Sequence, residues 1–290
     1  MDGPQGAALS AEGFGLEGPR GWAFHGVEFS AGPGSLVAIA GPSGSGRTCL
    51  LLALTGRMRS TAGHAEVGGE RLPGRLAAVR GFSALGPVTG VSELDPALTV
   101  AEHLRERALL RRRFDGSPRA LLRPRAERAA ASRAVVEEAL DAAGLDLSDL
   151  PKAERTSVRD LERLEALRLS VTLALMGRPR LLAVDDTDLK LSAPDRALAW
   201  QLLRRLADGG TTVLAVCSEA PDDALVVHAR PAEDEPAGGG AAGARTPEGP
   251  PSAPDPGAAR PGPEETAAAA ADDTTNRKDT ADAIAETGRA

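Results

Sequence analysis

The residues best suited to chemistry lie in one glycine-rich octapeptide, Gly41–Thr48, with the sequence GPSGSGRT. Its spacing is that of a phosphate-binding loop, G-x-x-x-x-G-K-[ST], with Arg47 in the lysine position. Backbone N–H groups of such a turn can hold a phosphate at the positive end of the following helix. The residues that we predict to contact a nucleotide are Gly41, Pro42, Ser43, Gly44, Ser45, Gly46, Arg47, Thr48 and Cys49.

Two side chains of this loop would act on the phosphates and on their metal ion. The Thr48 hydroxyl would coordinate Mg²⁺. Arg47 can pair with phosphate, but its planar guanidinium is bulkier than an ammonium and fits less well between two phosphate groups. A glycine-rich turn that binds nothing is the alternative interpretation.

A pair of acids follows another apolar segment, Leu181–Val184. Asp185 would hold Mg²⁺ from the end of a neighbouring strand, so that Thr48 and Asp185 are the predicted metal ligands. Asp186 is adjacent and could polarise an attacking water, which makes it the candidate catalytic residue. Exposed acids at strand ends are common on α/β sheets and are the alternative interpretation.

Buried strands must position these residues. The segments 35–40, 181–184 and 212–217 are continuous apolar runs, which is typical of strands buried on both faces, and 225–228 is a further short one. Buried strands that alternate with helices indicate a mostly parallel α/β sheet.

Helical periodicity and breakers predict the remaining elements. We expect a helix after the glycine-rich loop that ends near Gly56, and one from 98 to 110 with a capping box formed by Thr99 and Glu102. Further helices are predicted within 118–176, one ending at Gly144 and one covering 157–176, and another over 194–208. Short strands are predicted over 64–80.

Composition divides the chain into two parts. Residues 231–290 carry 12 acidic and 5 basic side chains and a single large aliphatic residue, Ile284. Such a segment buries too little apolar surface to offset the entropy of ordering, so we predict a disordered acidic tail after a domain spanning 1–230. The domain itself carries no net charge, which disfavours a nucleic-acid partner.

Cysteine usage and hydropathy predict a cytosolic protein. Cys49 and Cys217 lie in apolar runs, so we expect buried free thiols in a reducing compartment. The start of the chain lacks the pattern of a secretory signal, and no apolar run approaches the ~18 residues of a membrane span. The arginine-rich run 111–128 is either a solvated helix face or a contact with a membrane partner or anionic lipid.

The order of these features resembles the nucleotide-binding subunit of ATP-binding-cassette (ABC) transporters. The segments that carry the resemblance are FHGVEFSAGPGSLVAIAGPSGSGRTCLLLALTG, LDPALTVAEHL, ALMGRPRLLAVDD and TTVLAVCSEA, together about 13–228. The resemblance implies a P-loop NTPase-like α/β fold with a mostly parallel core sheet, antiparallel edge strands and a helical subdomain over about 92–177. It also implies that two such subunits enclose ATP between the phosphate loop of one and an LSGGQ segment of the other.

This sequence departs from the family at the chemistry. The LSGGQ position is held by Leu161–Glu165 (LERLE), where Glu162 and Glu165 would bring negative charge near the opposite γ-phosphate. Arg163 and Leu164 would prevent the close backbone approach that glycine allows.

Five further positions lack the side chain that the family uses. The glutamine of the loop after the edge strand falls on Leu85, the catalytic glutamate on Asp186, and a conserved aspartate on Ser192. The switch histidine falls on Ser218, and no aromatic residue stands near Glu17, where one would stack on adenine. Trp22 and Phe14 are the nearest aromatic residues, and neither fits the spacing.

These observations predict a protein that retains ATP or ADP and Mg²⁺ but hydrolyses ATP weakly or not at all. It would be the impaired half of a homodimer or heterodimer of ABC subunits, or a regulatory module, on an integral membrane partner at the inner face of the cell membrane. Two alternatives stay open: a functional transporter ATPase that tolerates the substitutions, and a scaffold that binds no nucleotide.

Overall fold

The computed structural model describes residues 6–114 and 124–229. The predicted acidic tail, 231–290, and part of the arginine-rich run lie outside these residues. No helix in the described part of the chain is both long enough and apolar enough to cross a bilayer.

The described residues form two sheets and six α-helices. The strands are β1 (Leu9–Gly18), β2 (Gly21–Ala31), β3 (Leu36–Ala40), β4 (Ala62–Val67), β5 (Glu70–Leu72), β6 (Ser83–Leu85), β7 (Leu181–Val184), β8 (Thr212–Cys217) and β9 (Leu225–His228). The helices are α1 (Arg47–Leu54), α2 (Leu76–Phe82), α3 (Val100–Phe114), α4 (Arg125–Ala143), α5 (Arg163–Leu175) and α6 (Ala193–Asp208).

The sheets differ in strand direction. One is antiparallel, with the spatial order β2-β1-β4-β5, and the other is parallel, with the order β6-β7-β8-β3-β9. The predicted α/β fold with a parallel core sheet and antiparallel edge strands is therefore confirmed.

Strands β3, β7 and β8 of the parallel sheet are buried on both faces, which explains their continuous apolar sequences. On β3, Val37 and Ile39 pack into a core shared with α1 and the antiparallel sheet, while Leu36, Ala38 and Ala40 face a second core with α6. Helices α3, α4 and α5 enclose a third core of their own, within the predicted helical subdomain.

Strand register brings the predicted site residues to one edge of the parallel sheet. Ala40, the last residue of β3, pairs with Cys217, the last residue of β8, and Val184 ends β7 beside Ala215. The segments that follow these three strands therefore emerge side by side, at the carboxyl edge where open α/β sheets bind ligands.

Two predicted elements were wrong in part. Residues 76–82 form α2 and not a strand, because Leu76, Val79 and Phe82 recur at helical spacing and pack into the first core. The helix predicted from Ser157 begins only at Arg163, because the backbone around Ser157 bonds to the segment before α3, with Val158 N–H donating to the carbonyl of Leu98.

Candidate functional site

The glycine-rich loop has a backbone that only glycine permits at two points. Gly46 ends the loop with φ of 82°, and a Cβ there would lie 1.8 Å from the carbonyl oxygen of Ala23 on β2. Gly41 opens the loop with φ of 151°, and its Cβ would lie 2.9 Å from Ser45 Oγ. Both positions combine a left-handed conformation with close packing, so the sequence fixes the loop's path.

The loop leaves polar groups available to an anion. Ser45 is 2% exposed, and its hydroxyl has no hydrogen-bond partner within residues 6–114 and 124–229. Helix α1 starts without a side-chain cap and without an acidic residue in its first turn. A phosphate oxygen would satisfy both kinds of donor, so the loop fits the group that its spacing predicts.

The two predicted metal ligands lie in contact. Thr48 Oγ1 donates a hydrogen bond of 2.8 Å to Asp185 Oδ2, which joins the start of α1 to the end of β7. Asp185 is 4% exposed, and its other oxygen, Oδ1, accepts from the Asp186 N–H at 3.0 Å. A hydroxyl and a carboxylate in contact are the oxygen ligands that Mg²⁺ prefers, so this pair fits that ion.

Burial works against the charge of Asp185. Desolvation raises the pKa of its carboxyl, and the charge of Asp186 raises it further, while the hydrogen bond from Thr48 and the positive charge of Arg47 oppose the rise. A bound cation would stabilise the ionised form of this carboxyl, which burial disfavours.

Arg47 is directed at the sheet. Its Nη1 donates to the carbonyl oxygen of Cys217 at the carboxyl end of β8. This bond holds the guanidinium beside Ser218, the residue in the position of the family's switch histidine, which offers a hydroxyl in place of an imidazole.

The cysteines pack as apolar side chains. Cys49 is half-buried against the first core, and burial followed by the charge of Asp185 raises the pKa of its thiol. Burial raises the pKa of Cys217 to about 12. Cys49 could therefore serve a nucleotide through its backbone N–H and not through its thiol.

Asp186 adopts a strained backbone at the end of β7. Its φ is 48°, in the left-handed region, which aspartate tolerates better than most side chains. Together with Asp185 and Arg163 it lines a cavity of about 370 Å³ between β7 and the start of α5.

Asp188 is a positioning residue that sequence reasoning missed. It is 8% exposed, and its Oδ2 accepts from the N–H groups of Ser218 at 2.8 Å and Glu219 at 3.1 Å. The acid thereby fixes the segment after β8 beside Arg47. A third acid so close to the Asp185–Asp186 pair was the available signal.

Two of the substituted positions have structural partners of their own. Ser192 caps α6, with its Oγ accepting from Asp195 N–H at 3.3 Å. Leu85 ends β6 and packs against the first core, so no side-chain oxygen replaces that of the family's glutamine.

The segment in the LSGGQ position begins a helix that caps itself. Glu162 precedes α5, and its N–H donates to Glu165 Oε2 at 2.8 Å. A carboxylate of the helix itself thus lies at its N-terminus, where the dipole would otherwise favour an external anion.

Trp22 lies across from the position where the sequence lacks an aromatic residue. It pairs with Glu17 in the β1–β2 ladder, and a Cβ on Gly15 would lie 3.0 Å from the indole ring. Its neighbour Ala23 contacts Gly46 of the loop. Strand pairing, which sequence spacing does not reveal, places this indole on the same face as Glu17.

Comparison with known proteins gives consistent matches. The sequence model of the family described as "ABC transporter" matches residues 24–188. Nod factor export ATP-binding protein I of Ralstonia nicotianae is 30% identical over 65% of this chain and 52% of its own length, and that of Paraburkholderia xenovorans is 32% identical over 65% and 55%. The chain thus spans about half the length of these relatives.

Solved structures match at the level of the fold. A bacterial Atm1-family ABC exporter with ATP bound superposes with a TM-score of 0.59 at 20% identity, covering 80% of this chain and 40% of that one. The ATP-binding cassette MJ0796, in a dimeric post-hydrolysis state with ADP and phosphate, gives a TM-score of 0.58 at 20% identity and covers 77% and 94%.

Proposed function

Because the chain belongs to the ABC transporter family, we propose that it is the nucleotide-binding component or regulatory module of a membrane transport complex. In this proposal it holds ATP or ADP with Mg²⁺ and hydrolyses ATP weakly or not at all. The observation that carries this proposal is the 2.8 Å contact between Thr48 and Asp185, at the end of a loop whose Gly46 admits no side chain. Binding groups are retained there, and hydrolytic groups are replaced.

The loop would bind the phosphates through its backbone. The N–H groups at the start of α1 and the buried hydroxyl of Ser45 would donate to phosphate oxygens. Thr48 and Asp185 would hold Mg²⁺, which supplies neutralising charge between the phosphates. Arg47 would add a positive charge from the side of β8.

Trp22 supports a role for β2 in holding the base. The indole lies opposite Glu17, on the strand whose Ala23 contacts the loop. Trp22 is half-buried, with the His25 ring 5.9 Å from its own, and an indole of this kind is an aromatic group on which a purine can stack.

Weak hydrolysis is supported by the side chains around the site. Asp186 is one methylene shorter than glutamate, and Ser218 cannot act as an imidazole does. Glu165, at the start of α5, would place negative charge against the γ-phosphate held by a partner subunit. Loss of one transition-state partner costs roughly 10²–10³ in rate, so several losses together leave little catalysis.

The proposal includes a second ABC subunit, identical or different, and an integral membrane protein at the inner face of the cell membrane. A transporter ATPase that tolerates these substitutions and a scaffold that binds no nucleotide are the competing functions. Names of relatives such as the Nod factor export proteins support a role in export.

Nucleotide binding separates the scaffold from the other two functions. We expect a fluorescent ATP analogue with Mg²⁺ to bind saturably, and Thr48→Ala to weaken binding by about tenfold or more because a metal ligand is lost. An unchanged nucleotide affinity in Arg47→Ala would mean that the backbone N–H groups of the loop, and not the guanidinium, bind the phosphates. If the analogue does not bind saturably to the wild type, the scaffold that binds no nucleotide would be the remaining function.

Phosphate release separates the remaining two functions. We expect the wild type and Asp186→Asn to release phosphate from ATP at similar, near-background rates. Robust turnover that Asp186→Asn abolishes would contradict weak hydrolysis and favour the transporter ATPase.

A further inference from the structure

A cavity separate from the glycine-rich loop lies where α2 and β6 meet α3 and α5. Its volume is about 490 Å³, which is within the range of small-molecule sites. Neither the loop nor Asp185 or Asp186 lines it, although Ser92, Glu93 and Ser170 line both this cavity and the one beside Asp186.

Three arginine side chains line this cavity: Arg57 after α1, Arg80 on α2 and Arg107 on α3. Arg80 Nη1 donates to the carbonyl oxygen of Gly56 at 2.7 Å, and Arg107 Nε donates to that of Leu173 at 2.9 Å. Each guanidinium has five N–H donors, so these bonds fix the side chains and leave donors for a ligand.

Arg57 supports the cavity from behind. Its Nη1 donates at 2.8 Å to the Thr55 carbonyl and to Ser83 Oγ, and its Nη2 donates at 3.1 Å to the Ser83 carbonyl. These acceptors are neutral, so they orient the charge without neutralising it.

Three arginines elsewhere in the described residues pair with acids, in contrast to these three. Arg75, Arg178 and Arg204 contact the carboxylates of Glu70, Glu138 and Asp223. The one acidic side chain that lines the cavity is Glu93, which accepts from the Gly90 N–H at 2.8 Å. Within the described part of the chain, the cavity therefore carries excess positive charge.

The arginines also repel one another. Burial, and then the positive charge of Arg80, lowers the pKa of Arg57 to about 10, so its guanidinium stays charged at neutral pH. Like charges held together in a partly buried place are unfavourable, and an anion between them would relieve the repulsion.

We propose that this cavity binds a small polyanion that carries carboxylate or phosphate groups, with Arg80 and Arg107 as its principal contacts and Arg57 behind them. Charge-assisted bonds from paired guanidinium groups are the usual means of recognising such oxyanions. Ser92 and Ser170 line the same cavity, and their hydroxyls can donate further bonds, whereas the Ser83 hydroxyl already donates to the Thr55 carbonyl. The volume accommodates a molecule the size of citrate and not only a single ion.

Citrate and inorganic phosphate test this proposal by titration calorimetry on the full chain. We expect saturable citrate binding, weakened at least tenfold in the double variant Arg80→Gln, Arg107→Gln. Arg105→Gln is the matched control, since Arg105 is exposed on the same helix and lines no part of the cavity. The control should bind citrate as the wild type does. Phosphate tests whether one oxyanion group suffices or several are required.

Failure of this proposal is distinguishable from failure of the proposed function. The double variant should retain binding of the magnesium nucleotide, which also reports that it folds. Arg80→Gln alone changes an exposed side chain and should weaken citrate binding several-fold. No citrate binding to the wild type, or equal binding by wild type and double variant, would overturn the anion site whatever the nucleotide result.

Discussion

At the scale of single residues, the charge of Asp185 disfavours folding but would favour the binding of a metal ion. Asp185 is buried beside Asp186, and the rise in the pKa of its carboxyl means that folding works against its charge at neutral pH. Its value to the protein therefore depends on the cation that it would hold with Thr48.

We predict that Asp185→Asn stabilises the free protein and weakens its binding of magnesium nucleotide. The amide keeps the bond from Thr48 and removes a buried charge, and each ~1 kcal/mol gained would raise the unfolding midpoint by about 2–4 °C. Thermal unfolding with and without MgATP measures both effects. A lower midpoint in the free variant would contradict this account of the charge.

The raised pKa of Asp185 also predicts how metal affinity depends on pH. A carboxyl whose pKa is raised on folding keeps its proton up to a higher pH in the folded protein than in the unfolded chain. The free energy of unfolding is therefore larger in the acidic range where this carboxyl is protonated than at neutral pH, but protonated Asp185 cannot ligate Mg²⁺. Metal affinity should therefore fall with pH in that range, and in Asp185→Asn it should be low throughout.

At the scale of elements, the apolar pattern of the sequence predicted which segments are buried. Backbone hydrogen bonds between distant segments decided the structure of the segments that this pattern did not predict. The strands β3, β7 and β8 were recognisable because burial on both faces requires unbroken apolar runs, whereas β9 is an edge strand with Leu225 and Val226 exposed. The site was predictable to the same extent, since Gly46, Thr48 and Asp185 follow or end such elements. The path from Thr156 to Leu161 was not, because its bonds run to the segment before α3.

Sequence reasoning missed candidate site residues whose partners lie far along the chain. Asp188 became a positioning residue only through its bonds to Ser218 and Glu219. Trp22 faces the same side as Glu17 because β1 and β2 pair with irregular register, which local spacing cannot indicate. The anion cavity likewise joins arginines from three separate segments.

Helix α5 offers a prediction at this scale. Glu165→Ala removes the acceptor of the Glu162 N–H and should cost about 1 kcal/mol of stability, whereas Glu165→Gln retains an acceptor and should cost much less. Thermal unfolding of both variants separates the capping bond from the charge. Equal losses in the two would show that the charge matters and the bond does not.

For the molecule as a whole, the acids at the start of α5 bear on assembly. In a dimer of identical chains, each bound triphosphate would face the Glu162–Glu165 segment of the partner. We therefore expect no self-association driven by MgATP, and we expect the double variant Glu162→Gln, Glu165→Gln to dimerise more readily. Sedimentation velocity with and without MgATP measures this.

The capping bond provides the control for the assembly experiment. Because glutamine at position 165 preserves the helix start, a change in dimerisation would report on charge alone. A wild type that dimerises with MgATP as tightly as the double variant would contradict the expected repulsion. A wild type that does not dimerise with MgATP would point to a different chain as the second subunit.

The pairing of β3 with β9 also bears on how a reporter could be attached. Ala40 stands beside His228 in adjacent strands, which are ~4.8 Å apart, so the chain leaves the sheet at Ala229 next to the first residue of the loop, Gly41. A small fluorescent label placed just after Ala229 would therefore lie near enough to the loop to report its occupancy. A bulky tag fused at that point would crowd the same entrance.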